Sequence, residues 1–255
     1  MVAASSEVLI RVEQVSAGYD ADTPLLRDVS FTVESGEILV IVGGSGSGKS
    51  TLMRHMIGLV PPLGGTIAIR GEPLEQMTEA RRKDILKGVG VLFQGSALFG
   101  SLTVLENVRL PLEEHTRLPD EAVNLIAFTK LQLVGLAASA HRMPTQLSGG
   151  MQKRAALARA MVLDPPLLFL DEPSAGLDPI TSADLDELIV SLSRNLGITL
   201  VVVSHELASV NAIADRVIML SSEEQRILAE GPPNEVRMSP DSRVRRFFSR
   251  GRNHE

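Results

Sequence analysis

Short runs of branched apolar residues, separated by turn residues, occupy the first part of the chain, and this pattern predicts β-strands. A glycine-rich loop at 43–48 follows them, and a segment with helical apolar spacing comes next. From residue 165 onward, strands and amphipathic helices alternate, which is typical of an α/β core with a mainly parallel sheet. The predicted strands are 9–15, 26–33, 37–42, 66–70, 89–93, 167–171, 198–204, 217–220 and 226–229. The predicted helices around them are 50–59, 78–86, 180–195 and 206–214.

The segment from Thr103 to Val162 has helical spacing and contains no long β-branched run. Thr103 and Glu106 have the spacing of a capping box. We therefore expect a helical block that interrupts the α/β core. The predicted organisation is a single domain over 1–255, with a core at about 1–94 and 162–236, a helical subdomain at about 95–161 and a basic C-terminal tail at about 237–255.

Composition narrows the class of protein. With 44% hydrophobic and 22% charged residues, the 255-residue chain has ordinary globular usage, which excludes disordered, collagen-like and coiled-coil proteins. A net charge of −6 argues against a protein that coats nucleic acid. The absence of cysteine excludes disulfides, thiolate metal sites and cysteine nucleophiles. No apolar run approaches the ~18 residues of a spanning helix and the N-terminus lacks a signal-peptide pattern, so we expect a soluble cytoplasmic protein.

The glycine-rich loop carries the first chemical motif. Residues 43–50, Gly-Gly-Ser-Gly-Ser-Gly-Lys-Ser, match G-x-x-x-x-G-K-S/T between a predicted strand and a predicted helix. Glycines let backbone amides approach phosphate oxygens, and the positive end of the helix dipole points to the same place. Lys49 would contact the β- and γ-phosphates, and the Ser50 hydroxyl would coordinate Mg²⁺. A plain Gly/Ser turn does not require this strand–loop–helix context, so the motif predicts a nucleotide site.

Two consecutive carboxylates end the apolar strand 167–171. Asp171 lies at a buried strand tip, where a carboxylate can hold phosphate-bound Mg²⁺. Glu172 is one residue further, so its side chain points elsewhere, which suits a base that polarises water. A strand that simply ends in a charged turn is the alternative on these residues alone, and the phosphate loop favours the site.

Residues 147–154, Leu-Ser-Gly-Gly-Met-Gln-Lys-Arg, precede an alanine-rich helix. Ser148 is predicted to be the N-cap, and Gly149 and Gly150 leave the first-turn amides uncovered. This is a second helix end of the kind that binds an anion. The spacing alone leaves an ordinary capped helix open.

Five motifs follow one another in a recognisable order: the phosphate loop, Gln94 after a strand, Leu-Ser-Gly-Gly, the strand that ends in Asp-Glu, and Ser204-His205 after another strand. In this order they resemble an ABC-type ATPase domain, over about residues 8–240. The resemblance implies an α/β fold, namely an ABC-type P-loop NTPase with a RecA-like core, an N-terminal antiparallel β-subdomain and an inserted helical subdomain. It also implies hydrolysis of ATP, with ATP and Mg²⁺ as cofactors.

The resemblance assigns roles to single residues. Tyr19, the one tyrosine, would stack on adenine, with a surface turn aromatic as the alternative. Gln94 would contact Mg²⁺ or the attacking water, and His205 would hydrogen-bond the γ-phosphate and hold Glu172. The implied ATP contacts within one chain are Tyr19, Gly43, Gly44, Ser45, Gly46, Ser47, Gly48, Lys49, Ser50 and Thr51. The implied Mg²⁺ ligands are Ser50, Gln94 and Asp171, and the implied catalytic residues are Glu172, His205, Gln94 and Lys49.

In this family two copies sandwich two ATP molecules head to tail. Ser148, Gly149, Gly150 and Asp178 would therefore act in trans, at the ATP held by the other subunit. We expect a homodimer that ATP closes and hydrolysis opens.

A longer stretch points to one group within the family. Residues 90–116, together with Met151, 178–181 and the segment 243–248, resemble the MCE-associated ATPases of Mla-type phospholipid transport. This resemblance implies a peripheral subunit on the cytoplasmic face of the inner membrane, bound to a pair of permease subunits. An MCE-domain protein would belong to the complex, phospholipid would be transported, and some relatives have a small STAS-type partner.

Other functions stay open. The alternatives are the ATPase of a solute importer with a periplasmic binding protein, or a non-transport ABC ATPase that acts on nucleic acid or ribosomes. The acidic balance, the single cassette and the lack of inserts count against the latter, so we expect no nucleic-acid partner.

Two surface features allow two interpretations each. An apolar set after Gln94 would either meet the permease or pack inside the helical block. Its members are Leu98, Phe99, Leu102, Val104 and Leu105. A set of C-terminal arginines would either face anionic lipid headgroups or belong to a frayed end. Its members are Arg243, Arg245, Arg246, Arg250 and Arg252.

Overall fold

A computed structural model describes residues 7–249, and within them the chain forms two β-sheets surrounded by helices. The strands are β1 Val8–Ala17, β2 Leu26–Glu34, β3 Ile38–Gly43, β4 Gly64–Ile69, β5 Glu72–Pro73, β6 Val89–Leu92, β7 Leu167–Asp171, β8 Thr199–Val203, β9 Arg216–Leu220 and β10 Ile227–Gly231. The α-helices are α1 Lys49–Met56, α2 Glu79–Lys87, α3 Val104–His115, α4 Asp120–Leu133, α5 Gly149–Ala160, α6 Pro179–Leu196, α7 Leu207–Ile213, α8 Pro233–Arg237 and α9 Ser242–Ser249. Every predicted strand has its counterpart, usually within two residues.

The smaller sheet is antiparallel and has the order β2-β1-β4-β5. Its strands alternate between buried and exposed positions, because one face packs on the core while the other meets solvent. This is the predicted N-terminal β-subdomain, and it contributes the loop that carries Tyr19.

The larger sheet has the order β10-β9-β3-β8-β7-β6, and all its neighbours are parallel except the edge strand β10. Strands β3, β7 and β8 are buried at every residue, since both faces of the sheet are covered. Their carboxyl ends meet at one edge, which is where parallel sheets bind ligands. That edge carries the phosphate loop, the two carboxylates and the histidine predicted from the sequence.

The central sheet separates two hydrophobic cores. In β3, Ile38, Val40 and Val42 point into a core shared with the helical block and the C-terminal helices. Leu39 and Ile41 point into the other core, which the antiparallel sheet and α1 complete. Alternation along one strand therefore serves two different packing partners.

The chain between β6 and β7 is helical, which confirms the inserted helical subdomain as a feature of the fold. Its first helix, α3, begins with the predicted capping box: Glu106 N donates to Thr103 Oγ1 at 3.2 Å, and Thr103 N donates to Glu106 Oε2 at 2.7 Å. The last helix, α5, packs so closely on β6 that a Cβ at Gly90 would lie 2.1 Å from Ala160 O. No helix within residues 7–249 is long and apolar enough to cross a membrane.

The C-terminal segment 242–249 is not frayed, which was one of the two interpretations that its arginines allowed. Residues 242–249 form α9, in which Val244 and Phe248 are buried against the core. Arg243 anchors the helix by hydrogen bonds from Nη2 to Glu224 and Asp241, both at 2.6 Å. The apolar residues at 244, 247 and 248 lie on one helical face. This face packs on the core although the same helix carries several arginines. Arg250 and Arg252 lie outside the described residues.

A cavity of 760 Å³ lies between α6 and α7, away from the phosphate loop. Asp186 lines it with only 4% of its surface exposed, and its Oδ1 atom has no hydrogen-bond partner within residues 7–249. Burial raises the pKa of this carboxyl group, the hydrogen bond with Ser209 opposes that effect, and the charge of Glu206 adds to it. The folded state therefore binds a proton at Asp186 more tightly than the unfolded chain does.

Asp186→Asn is expected to stabilise the protein at alkaline pH. A folded-state pKa above the unfolded value means that stability is lost as pH rises through the folded pKa, and asparagine removes this loss. Relief of about 1 kcal/mol corresponds to an increase in Tm of about 2–4 °C for a chain of this size. We expect that increase at pH 8 and a smaller one at pH 5 in thermal unfolding. Asp184→Asn, an exposed change on the same helix, should leave Tm unchanged at both pH values; an equal gain at pH 5 and pH 8 would contradict the assignment.

Candidate nucleotide site

The phosphate loop begins where β3 ends and closes onto α1. At Gly43 φ is +154°, and a Cβ there would lie 2.5 Å from Ser47 Oγ and 2.7 Å from Leu220 O, so only glycine fits. Gly48 is the N-cap of α1 in the left-handed conformation and offers no side-chain cap. The first turn of α1 contains no acidic residue, which leaves its backbone N–H groups free to meet an anion.

Lys49 reaches back over this loop. Its Nζ atom donates to Gly43 O and Gly44 O, each at 3.0 Å. Burial lowers the pKa of Lys49, while the charges of Glu172 and Asp171 oppose that shift. The ammonium group is thus held at the loop by main-chain carbonyls that a phosphate oxygen can replace.

Ser50 and Asp171 join the loop to the tip of β7. Ser50 Oγ donates to Asp171 Oδ1 at 3.0 Å, and Asp171 is buried. Burial raises the pKa of the Asp171 carboxyl, and the hydrogen bond from Ser50 opposes that effect. A hydroxyl and a carboxylate oxygen side by side are ligands that suit Mg²⁺.

Glu172 points away from Asp171 and toward His205. Its Oε1 atom lies 2.7 Å from His205 Nδ1, and its Oε2 atom is buried without a hydrogen-bond partner in the described part of the chain. The backbone of Glu172 has φ +49°, a left-handed conformation that is costly for a residue with a side chain. Its N–H donates to Val203 O at 2.9 Å, which fixes the turn after β7 against β8.

A cavity of 520 Å³ lies beside Lys49, Glu172 and His205, whereas Ser50 and Asp171 are not among its lining residues. Gln94, which follows β6, reaches it from the side of the helical block. A Cβ at Gly44 or Gly46 would meet no atom within 4 Å, so the loop faces open space. The lining residues are Gly43, Gly44, Ser45, Lys49, Gln94, Glu172, His205, Leu207 and Phe247.

Tyr19 lies on the antiparallel sheet side of the loop and is 62% exposed. Its hydroxyl is hydrogen-bonded to Thr51 and Arg54 of α1, and these bonds lower its pKa. Gly18 N donates to His55 Nε2 at 3.2 Å, which ties the turn before Tyr19 to the same helix. Thr51 is buried and hydrogen-bonded to the tyrosine hydroxyl, so it helps to hold the ring in position.

The four residues expected to act in trans lie outside the 520 Å³ cavity. Ser148 is the N-cap of α5, as the sequence predicts, and its Oγ accepts from Met151 N at 3.3 Å. Gly149 is exposed, whereas a Cβ at Gly150 would lie 2.3 Å from Thr181 Cγ2, so that α5 and α6 approach closely. Asp178 is exposed and caps α6 by accepting from Ile180 N and Thr181 N at 3.1 Å.

Two residues near the site are absent from the sequence-based set. Lys153 on α5 donates to Gln94 O and Glu172 O, which no spacing rule predicts because both acceptors are main-chain atoms distant in sequence. Phe247 on α9 lines the cavity beside His205. The apolar residues at 244, 247 and 248 have the spacing of one helical face, so the sequence does predict a packed helix there, in spite of its arginines.

Comparisons with known proteins identify the family. The ABC transporter family profile matches residues 26–175. The chain is 44% identical over 224 residues to the Intermembrane phospholipid transport system ATP-binding protein MlaF of Escherichia coli strain K12, covering 88% of this chain and 82% of that one. It is 39% identical to the Probable ribonucleotide transport ATP-binding protein mkl of Mycobacterium tuberculosis strain H37Rv, covering 89% of this chain and 62% of that one.

A solved structure supports the same assignment. The ATP-binding cassette MJ0796, in a dimeric post-hydrolysis state bound to ADP and Pi, matches with a TM-score of 0.80 and 30% identity, covering 88% of this chain and 98% of that one. The protein therefore belongs to the ABC transporter family, as its ATP-binding cassette. It binds and hydrolyses ATP, and cassettes of this family dimerise and work with membrane permeases.

Proposed function

We propose that the protein is the homodimeric ATPase subunit that energises phospholipid transport between the inner membrane and an MCE-domain protein. The 44% identity to MlaF over 88% of the chain is the observation that carries this proposal. A pair of integral-membrane permease subunits would hold the cassette at the cytoplasmic face of the inner membrane. We expect phospholipid as the transported substrate and no nucleic-acid partner. A small STAS-type protein, which some relatives have, would be compatible with this assembly.

The phosphate loop would bind the nucleotide. Its exposed amides and the free first-turn N–H groups of α1 offer donors to phosphate oxygens, and Lys49 adds a positive charge within reach of them. The exposed ring of Tyr19, fixed by Thr51 and Arg54, would stack on the adenine.

Ser50, Asp171 and Gln94 would hold Mg²⁺. The fit rests on Ser50 Oγ and Asp171 Oδ1, two oxygen ligands only 3.0 Å apart, with substrate phosphates to complete the coordination. When bound, Mg²⁺ neutralises charge that develops on the phosphate oxygens. Burial at the tip of β7 keeps Asp171 in place for this role.

Glu172 would polarise the attacking water, with Gln94 and His205 beside it. Its buried Oε2 atom has a free acceptor site, and the contact of Oε1 with His205 Nδ1 fixes the direction of the carboxylate. Because Nδ1 of His205 contacts Glu172, Nε2 is the ring nitrogen left to hydrogen-bond the γ-phosphate. The left-handed backbone at Glu172 separates its carboxylate from that of Asp171.

Ser148, Gly149, Gly150 and Asp178 would complete the site of the other subunit. Ser148 and Gly149 are exposed at the start of α5, where the helix dipole favours an anion. Closure of the dimer on ATP, and its opening after hydrolysis, would then move the permease pair.

A soluble cargo is the second candidate substrate, because the name of the mycobacterial relative refers to ribonucleotide transport. The distinguishing experiment is affinity purification of the tagged protein from its own cells in detergent, followed by mass spectrometry of proteins and lipids. A permease, an MCE-domain protein and enriched phospholipid are the expected result. A permease with a solute-binding protein and no lipid enrichment would overturn the phospholipid assignment and leave the ATPase intact.

The same purification can test the permease contact. In the apolar set after Gln94, Phe99 is 56% exposed, whereas Val104 is fully buried in the helical core. Phe99 is therefore a candidate for the permease contact, and Val104 packs inside the helical block. Phe99→Glu is expected to lose the permease while the purified cassette still binds ATP. Leu196→Glu changes an apolar residue of similar exposure, 48%, at the far end of α6 and should keep the permease. Retention of the permease by Phe99→Glu would exclude Phe99 from the docking surface.

A further inference from the structure

Lys153 connects helix α5 to Gln94 and Glu172 of its own chain. It lies on α5, five residues after the N-cap Ser148, and its side chain is buried. Its ammonium group donates to Gln94 O and, at 3.2 Å, to Glu172 O. A buried ammonium that has exchanged water for main-chain carbonyls is a fixed cross-link, because leaving either carbonyl unpaired is costly.

A second side chain of α5 holds the loop after Gln94. Arg159 donates from Nη1 to Ala97 O at 2.7 Å and from Nη2 to Ser96 O at 3.0 Å. Ser96 and Ala97 have φ of +61° and +49°, a left-handed backbone that needs support from its surroundings. A displacement of α5 therefore carries the loop 94–97 with it.

The carbonyl that Lys153 holds belongs to the strained residue Glu172. The N–H of Glu172 is fixed by Val203 O and its C=O by Lys153, so its left-handed peptide is held on both sides. Without the lysine, one of these restraints is lost and the backbone can relax. The carboxylate would then move away from His205, with which it now makes a 2.7 Å contact.

We propose that Lys153 is a positioning residue that couples the two ATP sites of the dimer. This inference rests on the proposed function, in which Ser148 contacts the ATP held by the other subunit. Because α5 is one continuous helix from Gly149 to Ala160, a contact at its N-terminus shifts Lys153 as well. ATP in one site thus sets Gln94 and Glu172 in the other, and each site becomes competent when its neighbour is filled.

The test is Lys153→Met, with steady-state hydrolysis measured over a range of ATP concentrations. We expect kcat to fall by about 10- to 100-fold, since small displacements of reacting groups have effects of that size. The equilibrium affinity for a non-hydrolysable ATP analogue should stay within about twofold of wild type, because Lys153 lies outside the phosphate loop. The Hill coefficient should fall from above 1 in the wild type to 1 in the variant.

Two further variants separate coupling from simple destabilisation. Lys153→Arg keeps a donor for both carbonyls and should recover most of the turnover and the cooperativity. Lys130→Met removes another buried lysine of the helical block, one that pairs with Asp164 away from the cavity, and should keep both wild-type values. If Lys153→Met does not fold, Lys153→Gln replaces it in the same comparison.

Each outcome has a distinct meaning. Wild-type turnover in Lys153→Met, or lower turnover with an unchanged Hill coefficient, would overturn the coupling role. A wild-type protein that hydrolyses ATP with a Hill coefficient of 1 would also overturn it and leave the proposed ATPase standing. A wild-type protein that does not hydrolyse ATP would contradict the proposed function itself.

Discussion

Glu172→Gln is expected to bind ATP and to hydrolyse it about 10²- to 10⁴-fold more slowly than the wild type. The substitution keeps the shape of the side chain but replaces a carboxylate oxygen by an amide nitrogen, which cannot accept a proton from water. Oε2 is buried with no protein partner in the described residues, so it is the atom placed to meet that water. Because binding groups on the phosphate loop are untouched, the affinity for ATP should be retained.

The measurement combines steady-state hydrolysis, equilibrium ATP binding and size-exclusion chromatography. Slow hydrolysis should accumulate the ATP-bound closed dimer, which elutes as twice the mass of the monomer. Glu187→Gln makes the same chemical change at an exposed position of α6 and should match the wild type in all three assays. Turnover at the wild-type rate in Glu172→Gln would remove Glu172 as the general base.

Lys49→Ala is expected to weaken ATP binding by about 10- to 100-fold. A hydrogen bond to a charged group contributes about 1.5–3 kcal/mol, and Lys49 is the cation that lies over the phosphate loop. The variant also removes the positive charge of Lys49 that now favours the ionised form of Asp171 and lies near Glu172. Those two negative charges would then oppose the approach of the nucleotide.

Isothermal titration with a non-hydrolysable ATP analogue measures this loss directly. Lys87→Ala removes an equivalent charge from α2, where Lys87 pairs with Asp84 on the surface, and should bind as the wild type does. Unchanged affinity in Lys49→Ala would contradict its role at the phosphates. The two variants therefore divide the site into a binding half and a hydrolytic half.

The sequence predicted the strands well because apolar β-branched runs, such as 38–42 and 199–203, can form few other structures. It missed β5, which has two residues and is defined only by pairing with β4. It left the arginines of 243–246 open between a lipid-facing surface and a frayed end, although Val244 and Phe248 had the spacing of a buried helical face. In that segment the spacing of the apolar residues predicted the helix better than the high arginine content did.

The site was predictable where it consists of local motifs and hidden where it depends on tertiary contacts. The phosphate loop and the capped start of α5 follow from neighbouring residues. The bonds of Lys153 to Gln94 and Glu172 join positions 59 and 19 residues apart through carbonyl groups, which every residue type possesses. The positive φ of Glu172 was equally hidden, since glutamate has no intrinsic preference for that conformation.

The division of the interior into two cores gives the molecule two mechanical parts. The core beneath the antiparallel sheet includes Leu52, Met53 and Met56 of α1. The helix that begins at the phosphate loop is therefore fixed by packing in this core. The helical block belongs wholly to the other core. The helical block can thus tilt against the sheet and move a neighbouring protein, while the phosphate loop and α1 keep their position.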